Sequence, residues 1–156
     1  MITPAEPRDG PDILAISAGV EVFNEEEVQT VDELWQDSLN RGAQASGYYF
    51  LVDREGEHVL GYACYGPRAL TEGTYDLYWI AVDKRQHGKG VGKALIRAVE
   101  KEVRQMGGRL IVVETSGLDK YTPTRSFYES TGYTLEARLV DFYRDGDDLV
   151  IYTKHL

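Results

Sequence analysis

Residues 85 to 92 read Arg85-Gln86-His87-Gly88-Lys89-Gly90-Val91-Gly92. Glycine at alternate positions lets the backbone turn freely and leaves no Cβ between the N–H groups and an approaching ligand. The stretch separates two runs of different periodicity. Before it, Tyr75-Asp76-Leu77-Tyr78-Trp79-Ile80-Ala81-Val82 is aromatic and apolar, as strands are. After it, Val91, Leu95, Val99, Val103 and Met106 recur at helical spacing, with Ala94 and Ala98 widening the stripe, until Gly107-Gly108 closes the helix. A glycine-rich turn that opens a helix gathers bare N–H groups at the positive end of the dipole, which suits a phosphate.

Three phosphate loops compete for this pattern. A P-loop needs a hydroxyl after its lysine to hold magnesium, but Lys93 is followed by Ala94. A dinucleotide fingerprint needs glycine where Lys93 stands. What remains is Arg/Gln-x-x-Gly-x-Gly/Ala, matched by Arg85, Gly88 and Gly90. On the loop alone, a glycine turn with no ligand stays open. A second motif stands downstream, Thr124-Arg125-Ser126-Phe127-Tyr128-Glu129-Ser130-Thr131-Gly132-Tyr133, at the distance one helix and one strand would occupy.

Together the two motifs resemble the GNAT superfamily of N-acetyltransferases, whose second motif usually reads Ala-x-x-Phe-Tyr-Glu-x-x-Gly-Phe. The resemblance is strongest from Tyr75 to Tyr133 and faint before Tyr48. It implies an α/β fold with a mixed central sheet of about six to seven strands flanked by about four helices. It also implies acetyl-CoA as co-substrate and no metal. The pyrophosphate would lie on Arg85, Gln86, His87, Gly88, Lys89, Gly90, Val91, Gly92 and Lys93. The strand backbone at Ile80, Ala81 and Val82 would pair with pantetheine, with an N–H near Ile80 or Ala81 as oxyanion donor. One departure matters: Tyr121 and Thr124 stand where the family often carries Asn and Ala, so the contact of that Asn is not carried over.

Acyl transfer to an amine requires a neutral nucleophile. For an alkyl amine with pKa near ~10.4, deprotonation at pH 7 costs roughly 4–5 kcal/mol, which a general base and a desolvated site reduce. Asp76 interrupts an otherwise apolar strand and, by the resemblance, falls where many members carry a glutamate base; the competing reading is an outward polar residue on an alternating strand. Tyr128 is protonated at neutral pH and can donate to the departing sulfur. It matches the tyrosine that serves as general acid in the family, against the alternative of a core tyrosine beside Phe127. The resemblance implies direct transfer through a ternary complex, with a non-catalytic acyl-CoA-binding module as the alternative.

At 156 residues the chain is expected to be one domain, 1–156. A net charge of −9 argues against nucleic acid as a partner. Cys64 is the only cysteine, so no internal disulfide can form. It reads as a small strand hydrophobe. His58, His87 and His155 show no metal-ligand spacing. No apolar run long enough for a membrane and no signal peptide is visible, so a cytoplasmic monomer or homodimer with no membrane partner is expected.

The elements that must position these groups follow from periodicity. Helices are expected over Pro11–Asn24 and Glu25–Arg41, a hairpin over Tyr48–Val52 and Val59–Gly66, then a strand over Thr74–Asp83 and the helix ending at Met106. Arg109–Thr115 reads as a buried strand, and a short helix capped by Thr122 ends at Gly132. A last hairpin pairs Leu135–Tyr143 with Leu149–Lys154 across a five-residue turn. Met1 to Pro4 supplies only a stub of the strand with which the family opens, as an N-terminally shortened chain would. By the resemblance, acceptors lie between the first two helices and the last hairpin. Glu25, Glu26 and Glu27 on one wall, and Asp141, Tyr143, Asp145, Asp147 and Asp148 on the other, would draw a cationic amine. A small-molecule amine is therefore expected as acceptor, with a peptide or protein amine as the alternative.

Overall fold

The computed structural model describes residues 1–156. In chain order the elements are β1 (Ile2–Pro4), α1 (Gly10–Ala18), α2 (Glu25–Arg41), α3 (Ala43–Ser46), β2 (Tyr49–Glu55), β3 (His58–Pro67), β4 (Thr74–Val82), α4 (Val91–Gln105), β5 (Leu110–Ser116), α5 (Thr122–Ser130), β6 (Thr134–Arg144) and β7 (Asp147–His155). Short 3₁₀ turns precede α1, α4 and α5. The seven strands form one sheet in the order β1-β2-β3-β4-β5-β7-β6. Only β4 and β5 are parallel. They are joined by α4, the crossover that a parallel pair needs. The expected mixed α/β sheet of this fold is present.

Strand alternation divides the apolar residues between two faces. Leu51, Ala63, Leu77 and Val113 point to one core with Val91, Leu95, Ile96, Val99 and Val103 of α4. Phe50, Val52, Tyr62 and Cys64 point to the other, packed by Ile13, Ile16, Val31 and Trp35 of α1 and α2. Cys64 is buried there as a free thiol.

Several boundaries differ from the sequence reading. The first helix ends at Ala18 rather than Asn24. Asn24 instead adopts an extended conformation and its side chain accepts from the Glu27 N–H at 2.8 Å, capping α2. Thr122 is not the cap of α5 but lies in its first turn, where its hydroxyl accepts from Arg125. The single-turn α3, bounded by Gly42 and Gly47 at φ 81° and 79°, makes five helices where about four were expected. The last hairpin turns over Asp145-Gly146 alone, with φ 82° at Gly146; an Asp-Gly pair suits so tight a turn. The Met1–Pro4 stub does pair with β2, Ile2 opposite Asp53.

Candidate active site

The central feature is a fork in the sheet. β4 and β5 pair from Thr74 opposite Leu110 to Leu77 opposite Val113, and no further. On its other side β4 stays paired with β3 as far as Val82 opposite Gly61. Leu77 faces Tyr65 and Trp79 faces Cys64, so Tyr78 is an extra residue, a bulge at the mouth of the fork. Ile80, Ala81 and Val82 lie along the open stretch, where the edge toward β5 has no strand partner.

The loop that leaves this open edge is built mainly from backbone. Asp83 accepts from the Arg85 N–H at 2.9 Å and from its guanidinium at 2.6 Å. These Arg85 bonds pull its pKa down to about 2. Arg85 is thereby engaged locally. Gly88 and Gly90 have φ of 78° and 81°, and a Cβ added at either would meet nothing within 4 Å. Both glycines are therefore required by conformation and open to approach. The first α-helical bond of α4 runs from Ala94 N–H to Gly90 O at 3.0 Å, which leaves the N–H groups of Val91, Gly92 and Lys93 without a helical partner. Gly92 differs from the other two: its φ is not positive, and a Cβ there would meet the Phe127 ring at 3.4 Å in ordinary van der Waals contact, so neither conformation nor space demands glycine. His87 Nε2 lies 3.2 Å from Val82 O, and Lys89 donates to Gln86 Oε1 at 3.4 Å. Lys84, Lys89 and Lys93 are exposed around the rim.

Tyr128 stands on α5 within the same packed cluster as Leu77 and Val113, the last paired residues of the fork. Its ring lies 5.5 Å from Phe127, 5.9 Å from Tyr133 and 6.1 Å from Tyr152. Burial alone pushes its pKa above the ordinary tyrosine value. α5 is anchored to the end of β5 by Arg125, which donates to the carbonyls of Ser116 and Leu118 at 2.8 and 2.9 Å.

Asp76 is buried on β4, opposite Gly66 and Val112. Both of its oxygens accept from Arg68, each at 2.7 Å, and this pair raises the arginine's pKa. Arg68 also reaches Glu114 at 3.4 Å. Glu114 is the first β5 residue beyond the fork and its side chain is 44% exposed. Sequence reasoning missed both Arg68 and Glu114. Glu114 carried the signal used for Asp76, a carboxylate inside an apolar strand.

Further along the same side, residues from α2, β4, β5, β6, β7 and the segments before α2 and α5 converge. Tyr121 donates to Val22 O at 3.0 Å and ties the α1–α2 connection to the start of α5. Phe23 packs on Trp79 at 6.0 Å. Asp147 is buried and accepts from Ser116 Oγ at 2.5 Å. Burial pushes Tyr121 up to about 12, with the charges of Glu27 and Asp147 and the neighbouring Tyr143 adding to the shift. Tyr143 is raised first by burial, then by Glu114, Asp147 and Glu27. Glu27 is itself raised, chiefly by burial. Glu27, Glu114, Tyr121, Tyr143 and Asp147 thus share one electrostatic neighbourhood. It is not purely acidic, because Arg68 lies 3.4 Å from Glu114 and Arg144 lies 3.8 Å from Asp147; the remaining acidic candidates lie outside it. Asp148 pairs with Arg138 at 2.8 Å and accepts from the Asp141 N–H, while Asp141 accepts from the Gly146 N–H. Glu25, Glu26 and Asp145 are exposed.

The fork, the helix-opening loop and the buried tyrosine form an arrangement that can hold an extended thioester and its phosphates beside an acidic groove. Residues 14–133 match the acetyltransferase (GNAT) family model. A crystal structure from Desulfovibrio desulfuricans, of a protein assigned to the GNAT acetyltransferases, is 44% identical; the match covers 99% of this chain and 98% of that one, with a TM-score of 0.96. An aminoglycoside 6'-N-acetyltransferase complexed with coenzyme A shares the fold at 16% identity, covering 99% and 96% of the two chains, with a TM-score of 0.77. The ribosomal-protein-S18-alanine N-acetyltransferase of Escherichia coli shares it at 19% identity, covering 99% and 92%, with a TM-score of 0.78. No curated protein sequence matches the chain. The family match over most of the chain, and the near-complete overlap with the Desulfovibrio protein, make this chain a member of the GNAT acetyltransferase family.

Proposed function

We propose that residues 1–156 act as one domain that moves an acetyl group from acetyl-CoA to the primary amine of a small polar molecule, by direct transfer in a ternary complex. The observation that carries the reading is the fork: an open β4 edge from Tyr78 to Val82 runs directly into a loop with φ near 80° at Gly88 and Gly90. Pantetheine would pair with the free groups of β4, and the pyrophosphate would sit on the N–H groups that open α4. The N–H near Ile80 or Ala81 would hold the oxyanion, placed where charge develops.

Tyr128 is the proposed acid. It gives its proton to the sulfur as the C–S bond breaks, and its raised pKa keeps that proton in place until then. Asp76 is the proposed base. A second reading gives that role to Glu114, because Arg68 occupies both Asp76 oxygens whereas Glu114 is half-exposed at the mouth of the fork. In that case Asp76 positions Arg68, and Arg68 positions Glu114.

The shared field of Glu27, Glu114 and Asp147 supports a cationic acceptor. Solved structures with this fold bear the names of both aminoglycoside and ribosomal-protein acetyltransferases, so the fold accommodates both acceptor classes. No helix is long and apolar enough to cross a membrane. A lone buried thiol, Cys64, fits a reducing cytoplasm.

Isothermal calorimetry on Gly90→Val tests the cofactor reading. A β-branched residue at φ 81° is strained by roughly 1–3 kcal/mol and places methyl groups where the phosphate would lie. The variant is expected to stay folded and lose acetyl-CoA binding; undiminished affinity would remove the loop from the site. Thiol release during a screen of amino sugars, polyamines, amino acids and peptide N-termini tests the rest. Binding of acetyl-CoA with no turnover on any amine would favour an acyl-CoA-binding module, and turnover on peptides alone would replace the small-molecule acceptor.

A further inference from the structure

The Tyr128 hydroxyl has no hydrogen bond to direct it; burial is the only influence on its titration. Its aim therefore depends on what holds its backbone and its ring. Both are held from outside α5. The Tyr128 carbonyl accepts from the Thr131 N–H and hydroxyl at 3.1 and 3.0 Å and from the Tyr133 N–H at 3.0 Å, so the chain folds back on Tyr128 where α5 ends. Lys154 of β7 reaches this turn and donates to Thr131 O at 2.9 Å and to Glu100 Oε1 of α4 at 2.8 Å. Tyr133 donates to the same Glu100 oxygen at 3.3 Å, and Lys154 Nζ lies 5.5 Å from the centre of the Tyr133 ring. That ring stands edge-on to Tyr128. Tyr152, also packed on the Tyr128 ring, is fixed separately by its bond to Glu129 Oε1 at 2.9 Å.

Glu100 is buried and the Lys154 side chain is only 24% exposed. A buried ion pair is a poor source of stability, because desolvation offsets most of the attraction and an apolar pair of similar size often serves as well. What such a pair supplies is geometry. A carboxylate shared by an ammonium and a phenol fixes directions that apolar contacts would leave loose. The pair also stands apart from the reacting groups. Lys154 is opposite Ile111, and Ile111 is opposite Tyr75, so the pair lies beside the closed part of the sheet and away from the open β4 edge.

We propose that Glu100 and Lys154 are positioning residues for acyl transfer: their ion pair, through Tyr133 and the end of α5, aims the Tyr128 hydroxyl at the sulfur of the co-substrate. This rests on the reading of Tyr128 as the acid. Neither residue exchanges a proton with the substrate. They restrict Tyr128 to one orientation, and a displacement of about 1 Å at a reacting group is enough to cost about 10²-fold in rate.

An NMR label on the hydroxyl-bearing ring carbon of tyrosine tests this, with coenzyme A as the probe. In the native chain coenzyme A should shift the Tyr128 signal, which Tyr128→Phe identifies by removing it. Glu100→Met combined with Lys154→Met should leave the melting temperature near that of the native chain. The pair should at least halve the coenzyme A shift of Tyr128 and lower kcat for the fastest amine of the screen about 10–100-fold. In a Tyr128→Phe background the same pair should cost nothing further. A native Tyr128 signal that ignores coenzyme A removes the acid itself, and the clamp with it. A shift retained in full by the paired variant, or a loss of kcat that adds to that of Tyr128→Phe, overturns the clamp and leaves the acid standing. If the paired variant does not fold, Tyr133→Phe decides in its place. It keeps the ring and removes only the bond to Glu100, so it should reduce the same shift, and an undiminished shift overturns the clamp.

Discussion

Between Asp83 and Lys93 the groups offered to a ligand are backbone N–H groups, aimed by the positive φ angles of Gly88 and Gly90. Across the fork the groups offered are side chains. Asp76, Glu114 and Asp147 come from β4, β5 and β7 and Arg68 from the turn after β3, and they are set on one side only by the paired register of β3, β4, β5 and β7. A backbone site depends on what its residues lack, so glycine is its critical residue and the neighbouring side chains can vary. A side-chain site depends on chemistry held at a distance, so it fails when one charge is removed and its scaffold is left intact. The two halves should therefore respond oppositely to substitution.

The largest effect is expected between the halves, at Tyr128. Tyr128→Phe keeps the packing against Phe127, Tyr133 and Tyr152 and removes only the proposed acid. A loss of about 10²–10⁴ in kcat is expected, with acetyl-CoA affinity preserved. Full turnover would leave Tyr128 as a core residue of α5. Because burial raises its pKa, the acid form should persist as pH rises through 10, so any alkaline loss of kcat below that pH must come from another group. The same sign governs stability. The buried neutral tyrosines Tyr62 and Tyr128 contribute fully below pH 10, and their contribution is lost above it as the unfolded chain ionises first. Thermal melts across that range check the expectation.

The next effect sharpens the acceptor half. Asp76→Asn should lower kcat/KM by about 10² and flatten the rising acidic limb of its pH profile. If that limb survives unchanged while Glu114→Gln removes it, the proton goes to Glu114 and Asp76 only holds Arg68. Neither change should move acetyl-CoA affinity, and a shift in both would break the division between the halves.

A smaller effect concerns electrostatic attraction. Raising ionic strength should increase KM for a cationic amine severalfold, and Glu27→Gln should reduce that salt dependence. A KM that ignores salt would reduce the acidic groove to solvated charge. The smallest effect is at Tyr121. Tyr121→Phe removes its hydrogen bond to Val22 O, worth about 1 kcal/mol. It should raise KM for the amine a few-fold while leaving acetyl-CoA binding alone, as steady-state kinetics would report.

The donor half was legible because its signals are local. The glycine spacing, the switch from strand to helical periodicity at Val91 and the Phe127-Tyr128-Glu129 triplet all lie within single elements or their junctions. The boundaries that were misread turn on single hydrogen bonds. Asn24 could extend one helix or cap the next, and the bond it makes to Glu27 N–H decided for the cap. Gly92 reads as a third open position in the sequence, but it lies against the Phe127 ring. The acceptor half was legible only as charge. Asp147 and Asp148 are adjacent in the chain, yet Asp147 turns inward to Ser116 while Asp148 is spent on the hairpin bulge.

By itself the sequence determined the order of elements, the alternating faces that make the two cores, and the conformation of the loop at Gly88 and Gly90. Each of these depends on propensity, periodicity or sterics over a few neighbouring residues. Tertiary structure alone decided that β4 and β5 part after Leu77, that Arg68 bridges Asp76 to Glu114, and that β6 is left bare. Those outcomes depend on strand register and on the competition of distant side chains for the same partner, and no residue encodes them locally.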